Sequence, residues 1–536
     1  MSSTTTPQRR LGIYGVLLIL LVLVAAPLAS VLVNAAVGYH DEPSALGSIV
    51  QPGMLHILGN TILLSVLVVA FATLMAAPLA FLRAWTRFSS ANWIEIAVMI
   101  PFMTPPFAAA MAWMDFTRRG GVAEMLLGHG AGKLAHDAIY SVWGMAFIMA
   151  AELFPFLYLI LRTCLNSIPA STLEMAQVAG ASRWQQAVRI IAPNVIGPYS
   201  LGALVIFIKA AGEFGTPVTL GNAIGYKVLV SSIYEDVTID PLDFSSAAAS
   251  SSVLFAIGVA AWAFQQWISR RDLSGGGRVS RPVRIRLGSV GTVFGAVVTA
   301  TIFMAAVVIP YLSITLAAMT ILRSAPPTPN NLTFDYFSIV VQMPTAQEAL
   351  IRSIGLGALG ATAAVALGVL VTVLTRRQST IAAKFSDFLA IAPDTVPGIV
   401  LAIGFILLWN SPWLPWSPYG TMGMLVMAFT VLFLPMAIQN IKASAESVSP
   451  TVYEAAAISG SSTLHTFGRI TLPLLAPGIF AGWLLAFFVG IREHLSGDVH
   501  VGHFLFIYLP GSPTAFAALG FLQVMTFVNS QIGLRS

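Results

Sequence analysis

Charge is scarce in this chain of 536 residues: Asp, Glu, Lys and Arg make up only 9% of it, where soluble domains carry about a quarter. With 57% hydrophobic residues and a mean hydropathy of +0.83, there is too little polar surface to cover a water-soluble core. That excludes a soluble enzyme or binding domain and leaves a membrane protein. Cysteine is nearly absent. Cys164 stands alone, which excludes an internal disulfide framework. The net charge of +5 does not point to nucleic acid, because basic residues in membrane proteins mark cytoplasmic loops.

Long apolar runs are what the chain does have. Stretches able to cross about 30 Å of hydrocarbon at 1.5 Å per residue are expected about twelve times. The first six are 11–35, 58–82, 92–114, 141–163, 197–219 and 245–268. The second six are 287–321, 350–375, 385–409, 420–441, 477–495 and 512–530. The fold class expected is therefore all-α, polytopic and lipid-embedded. Gln8-Arg9-Arg10 precedes an apolar run too long for a signal peptide, so the first span is expected to be uncleaved. With the N-terminus inside, nineteen lysines and arginines fall in inside loops and six outside. This bias predicts both termini in the cytoplasm. A basic stretch at 270–286, with Gly275-Gly276-Gly277 within it, reads as a cytoplasmic linker between halves 1–269 and 287–536.

The halves repeat. Glu174, Gly180, Ile190 and Pro193 recur 280 positions later as Glu454, Gly460, Ile470 and Pro473, and Pro155 and Glu213 recur as Pro435 and Glu493. Upstream, Pro101 and Pro105 match Pro393 and Pro397 at an offset of 292, the difference being absorbed in the loop at 115–140 against 410–419. Six spans per half with one orientation make a parallel repeat.

Each half carries one further signature in an inside loop, at 171–193 and 449–473. Glu174-Met175-Ala176 and Glu454-Ala455-Ala456 are each followed by Gly180 or Gly460, then nine residues, then Ile190…Pro193 or Ile470…Pro473. The helix formers predict a short helix, the glycine a left-handed stop, and a second short helix running until the proline resets the backbone. Ser171-Thr172 and Ser449-Pro450 are the expected helix starts.

This pattern resembles the EAA motif of binding-protein-dependent ABC importer permeases. The second copy matches it throughout; the first departs at Met175 and Ala192. The resemblance implies a permease of the bacterial inner membrane, itself not an enzyme and without a cofactor. Two copies of a separate ATPase would dock on the two loops through Glu174, Ala176, Gly180, Ile190, Pro193, Glu454, Ala456, Gly460, Ile470 and Pro473. A periplasmic or surface-tethered binding protein would deliver substrate from outside. Gly128-His129-Gly130-Ala131-Gly132-Lys133 is not a P-loop: Leu127 and Leu134 stand where a Gly and a Ser or Thr are needed. ATP hydrolysis is expected elsewhere.

Charges at membrane depth cost about 2.5–3.5 kcal/mol each on insertion scales. Glu152, Lys209, Glu213, Asp394, Arg492 and Glu493 are therefore candidates for the translocation path, with structural pairing as the alternative. Lys209 and Glu213 are expected one helical turn apart, and Asp394 in a span kinked by Pro393 and Pro397. Gly357, Gly360, Ala361, Ala364 and Gly368 read as a close-packing ladder. His494, Asp498, His500 and His503 have no tight zinc spacing, so no metal site is expected. The fused layout and Gly212-Glu213-Phe214-Gly215-Thr216-Pro217 resemble ferric-iron permeases, with thiamine and aminoethylphosphonate permeases as alternatives. An ion-coupled secondary transporter using Glu213 and Glu493 is the reading from a different class.

Overall fold

In lipid every backbone N–H and C=O must find its partner within the chain, so a sequence this apolar folds as helices. The computed structural model describes residues 7–40, 42–269, 283, 285–322, 325–376, 378–411 and 414–506, and in the last helix side chains as far as Ile491. Among them the only β pairing is one isolated bridge, Thr320 to Leu332.

Eleven apolar elements follow one another. They are α1 (Arg9–Val37), α2 (Pro52–Trp85), α3 (Trp93–Met103 bent into Pro106–Leu127), α4 (Val142–Ser167), α5 (Arg183–Ala211) and α6 (Phe244–Ile268). Then come α7 (Ser289–Met319), α8 (Leu350–Thr375), α9 (Ile381–Thr395 bent into Gly398–Trp409), α10 (Met422–Ser447) and α11 (Phe467–Ile491). Nine are single helices long enough to cross a membrane, and counting each bent pair as one span gives up to 11. The twelfth expected span, 512–530, lies outside the described residues.

Two expectations need correction. The third span of each half is broken, not merely kinked: its arms meet at 98° in α3 and 114° in α9. Paired prolines explain this. Pro101 and Pro105, like Pro393 and Pro397, remove two helix donors within a single turn, and Pro105 and Pro397 each sit extended at the start of the second arm. Likewise, Pro193 and Pro473 do not reset the backbone. The chain passes through five-residue π-turns, Ala187–Ile191 and Phe467–Thr471, and continues as helix. A wider π-turn absorbs the missing N–H and the ring of the proline that follows it. The same device recurs in α1, where Leu21–Ala25 precedes Pro27, and in α7, where Met304–Val308 precedes Pro310.

Compactness groups the chain differently from its repetition. One unit gathers the described residues of Met1–Ile49, Ile233–Phe255 and Pro344–Ala518; the other gathers Val50–Ser232 and Ala256–Met343. Each unit thus combines the second to fifth spans of one half with the first span of the other. Within one, α2 packs along α4 and α5, and buried Val68, Ala72, Ala76, Met149, Phe154 and Tyr158 share a core with Ile302 and Val307 of α7. Within the other, α8, α10 and α11 pack together and α1 lies along α9. Small residues permit these approaches: a Cβ on Gly360 would lie 2.8 Å from Phe429 Cβ, and one on Gly404 would lie 2.5 Å from the Pro27 carbonyl oxygen.

Candidate coupling loops and translocation path

The two signature loops have the same secondary structure 280 residues apart. A helix Ala170–Val178 corresponds to Pro450–Ile458, and a second, Arg183–Gln186, to Thr463–Thr466. Gly180 and Gly460 end the first helices with φ of 81° and 73°. Beyond the turn, the Ala181 N–H donates to the Ala176 carbonyl at 2.9 Å, and Ser461 N–H to Ala456 at 3.1 Å. These are six-residue closures of the Schellman type, which need the left-handed residue. Nothing lies within 4 Å of a Cβ built on either glycine. Backbone conformation alone therefore demands glycine there.

Serine caps both second helices. Ser182 Oγ accepts from Gln185 N–H at 3.2 Å while Gln185 Oε1 accepts from Ser182 N–H at 2.8 Å, and Ser462 Oγ accepts from His465 N–H at 3.3 Å. At the first helices the sequence reading holds only in part. Pro450 opens its helix after Ser449 as expected, but the other starts at Ala170 behind Pro169, ahead of Ser171. Glu174 and Glu454 point to solvent, as do Gly180 and Gly460, while Ala456 is buried and Ala176, Ile190 and Ile470 are half-buried. Pro193 and Pro473 are exposed. Val178 and its repeat mate Ile458 remain 91% and 88% exposed, and Trp184 76%. Bare aliphatic tips of this size are costly in water and suited to a protein partner.

What holds each loop was missed from sequence. Trp85, at the end of α2, donates its indole N–H to the Leu165 carbonyl at 2.9 Å. In the other unit Arg376, just past α8 and one residue short of the position equivalent to Trp85, donates to the carbonyls of Ala445 and Val448, the latter at 3.1 Å. Arg376 also donates to Tyr453 Oη at 3.2 Å and stacks 5.3 Å above that ring. Arg9 in turn caps the end of α8, donating to the carbonyls of Val373, Leu374 and Arg376 at 3.2, 3.3 and 2.8 Å. The repeat offset held one signal: Leu165 aligns with Ala445 and Leu173 with Tyr453.

The path candidates separate. Glu152 is buried in α4. Lys209 sits near the end of α5 with its ammonium 5.4 Å from the centre of the Phe156 ring. Glu213 is not one helical turn further along the same helix, because α5 stops at Ala211 and Glu213 lies in the turn beyond. There its carboxylate accepts from Thr216 N–H at 3.2 and 3.3 Å. This turn packs on the break in α3: a Cβ on Gly215 would come within 2.6 Å of Phe107 N. Asp394, in the other unit, is exposed in the 3-10 turn Ala392–Thr395 that ends the first arm of α9. The side chains of Arg492, Glu493, His494, Asp498, His500 and His503 lie outside the described residues. No group of three metal-ligating side chains occurs among the described ones.

Comparison with known proteins agrees with this architecture. The family of binding-protein-dependent transport system inner membrane components matches residues 69–272 and again 364–497. An iron(III)-transport system permease, FbpB 2, of Haemophilus influenzae is 26% identical over 451 residues, 83% of this chain and 80% of its own. A ferric transport system permease, FbpB, of Actinobacillus pleuropneumoniae is 23% identical over 442 residues, 82% of this chain and 63% of its own. A sulfate transport system permease, CysT, of Escherichia coli is 25% identical over 190 residues, 34% of this chain and 67% of its own. Matched twice along its length, the chain belongs to the family of inner membrane components of binding-protein-dependent transport systems and is a multi-pass permease.

Proposed function

We propose that this single chain carries both membrane halves of one ATP-driven importer and that its cargo is ferric iron. The observation that supports this most is the duplicated protrusion, matching in helix bounds, glycine conformation and exposed aliphatic tip. On this reading each protrusion seats in one of two copies of a separate ATPase subunit. Glu174 and Glu454 face the partner, Ala176 and Ala456 pack inward, and Gly180 and Gly460 set the reversal. Ile190, Pro193, Ile470 and Pro473 place the π-turn through which the protrusion joins α5 or α11.

The excess of lysine and arginine on one side supports protrusions and termini in the cytoplasm. A binding protein would deliver substrate from the opposite side. Closure of the ATPase dimer would then move the helical units between alternate packings, a rigid-body change. Glu213 and Asp394, at the broken spans, are the candidates to line the path; Glu152, Lys209, Arg492 and Glu493 complete the set.

The ferric cargo is supported by two long relatives named for it. A sulfate cargo is favoured by the shorter match. In cells expressing the chain with its binding protein and ATPase, uptake of radioactive ferric iron is expected and uptake of radioactive sulfate is not; the reverse selects sulfate. The double variant Glu174→Ala/Glu454→Ala is expected to lower ATPase co-purification and uptake at least about tenfold, the equivalent of 1.4 kcal/mol. Unchanged assembly and uptake would overturn the coupling assignment.

A further inference from the structure

We propose that each unit contains a carboxylate-centred latch, Glu95–Arg162 in one and Asp387–Lys442 in the other, which ties the broken span to the helix leading into the protrusion. Transport depends on these latches because they carry displacement of the protrusion to the break. The inference rests on the protrusions being the sites where an ATPase acts.

The offsets that align the prolines and the glycines also align the latches. Adding 292 takes Arg83 to Thr375 and Glu95 to Asp387, and adding 280 takes Arg162 to Lys442. In the first unit Glu95 Oε1 accepts from Arg83 Nε at 2.8 Å and from Tyr158 Oη at 2.9 Å, while Oε2 accepts from Arg162 at 2.8 Å. In the second, Asp387 Oδ1 lies 3.0 Å from Lys442 Nζ and accepts from Thr375 Oγ1 at 2.8 Å. Each carboxylate stands on the first arm of a broken span, and each base stands on α4 or α10, five residues before the helix ends at Ser167 or Ser447. Ile168 and Pro169, or Val448 and Ser449, then lead directly into the protrusion helix. Glu95 is eight residues from Met103, roughly 12 Å of helix at 1.5 Å per residue. The arm is thus a short lever, held at one end and broken at the other.

An ion pair suits this duty better than apolar packing. Helices in lipid gain little by burying apolar faces against one another and can slide. A charge-assisted hydrogen bond is directional and resists both pull and push. The same link is built twice from different residues, Glu with Arg and Asp with Lys, which points to the bond itself.

The test uses the second latch, because breaking the first would strand Arg83, whose side chain is only 3% exposed. The full chain with its co-purifying ATPase is measured as Asp387→Lys, Lys442→Asp and the double swap. Each single variant is expected to bind ATPase as wild type does, to hydrolyse ATP, and to lose uptake at least about fivefold, the lower end of coupling effects between sites. The swap is expected to restore uptake. If a charge reversal prevents folding, Asp387→Asn serves in its place and is expected to show the same loss. Wild-type uptake in the single variants, or a folded, ATPase-bound swap that transports no better than they do, overturns the latch. Loss of ATPase binding in them also overturns it, since the pair would then serve assembly. A wild-type chain that binds no ATPase counts instead against the reading of the protrusions.

Discussion

The two units hold equivalent helices with different chemistry. Around Glu95 stand two arginines and a tyrosine, and one of those arginines, Arg83, is only 3% exposed; around Asp387 stand one lysine and a threonine, with no buried base beside them. The protrusions show the reverse assignment. Leu173 packs into the apolar core of its unit and Trp85 supplies one hydrogen bond, whereas Tyr453 is gripped by Arg376 through both its ring and its hydroxyl. Strong polar bonding lies at the latch in one unit and at the root of the protrusion in the other. The geometry of the repeat is therefore retained while the groups that enforce it have exchanged places, so neither half is a spare copy.

Substitutions can sharpen this contrast. The largest effect is expected at Arg83→Ala. It removes the buried partner of Glu95 and three further hydrogen bonds, to Phe88, Ser89 and Asn92. Glu95 keeps Arg162 and Tyr158, so the loss is that of the hydrogen bonds themselves, about 1.5–3 kcal/mol for the one between charged groups and about 1 kcal/mol for each of the others, which should appear as a sharply lowered unfolding temperature in detergent. Next come Gly180→Ala and Gly460→Ala. Both positions are open in space but left-handed, so each should cost about 1–2 kcal/mol from the backbone alone. Equal losses of thermal stability are expected, and unequal ones would show that the loops are not conformational twins. Tyr453→Phe should then cost about 1 kcal/mol for one hydrogen bond, and Leu173→Tyr should not gain what Tyr453 has, since Ala84 stands where the other half has Arg376. Lys442→Met comes last, at under about 1 kcal/mol for a half-exposed pair. A larger stability loss there would make Asp387–Lys442 as structural as its counterpart and erase the contrast.

Much of the site was legible in the chain. Spacing located both protrusions, and the left-handed turns at Gly180 and Gly460 followed from residue type because only glycine takes that conformation freely. Proline pairs marked the breaks in α3 and α9, though not their angles, which depend on what each arm packs against. Pro193 and Pro473 misled because a proline forbids one local bond but does not say whether the helix stops or widens around it. The latches were legible in principle, since the repeat offsets align their residues. Polarity near a helix end suggests a loop, however, until a partner is seen.

Composition and repetition alone determined that this protein is a helical membrane protein built twice over with two matching loops, because lipid permits little else and spacing along a helix fixes which residues share a turn. That it is a permease came from the resemblance of those loops to a known motif. Only the tertiary structure decided that each compact unit borrows its first span from the other half, and that Glu95 meets Arg162 as Asp387 meets Lys442. Those choices depend on which helix faces come together, and no local rule of the chain specifies that.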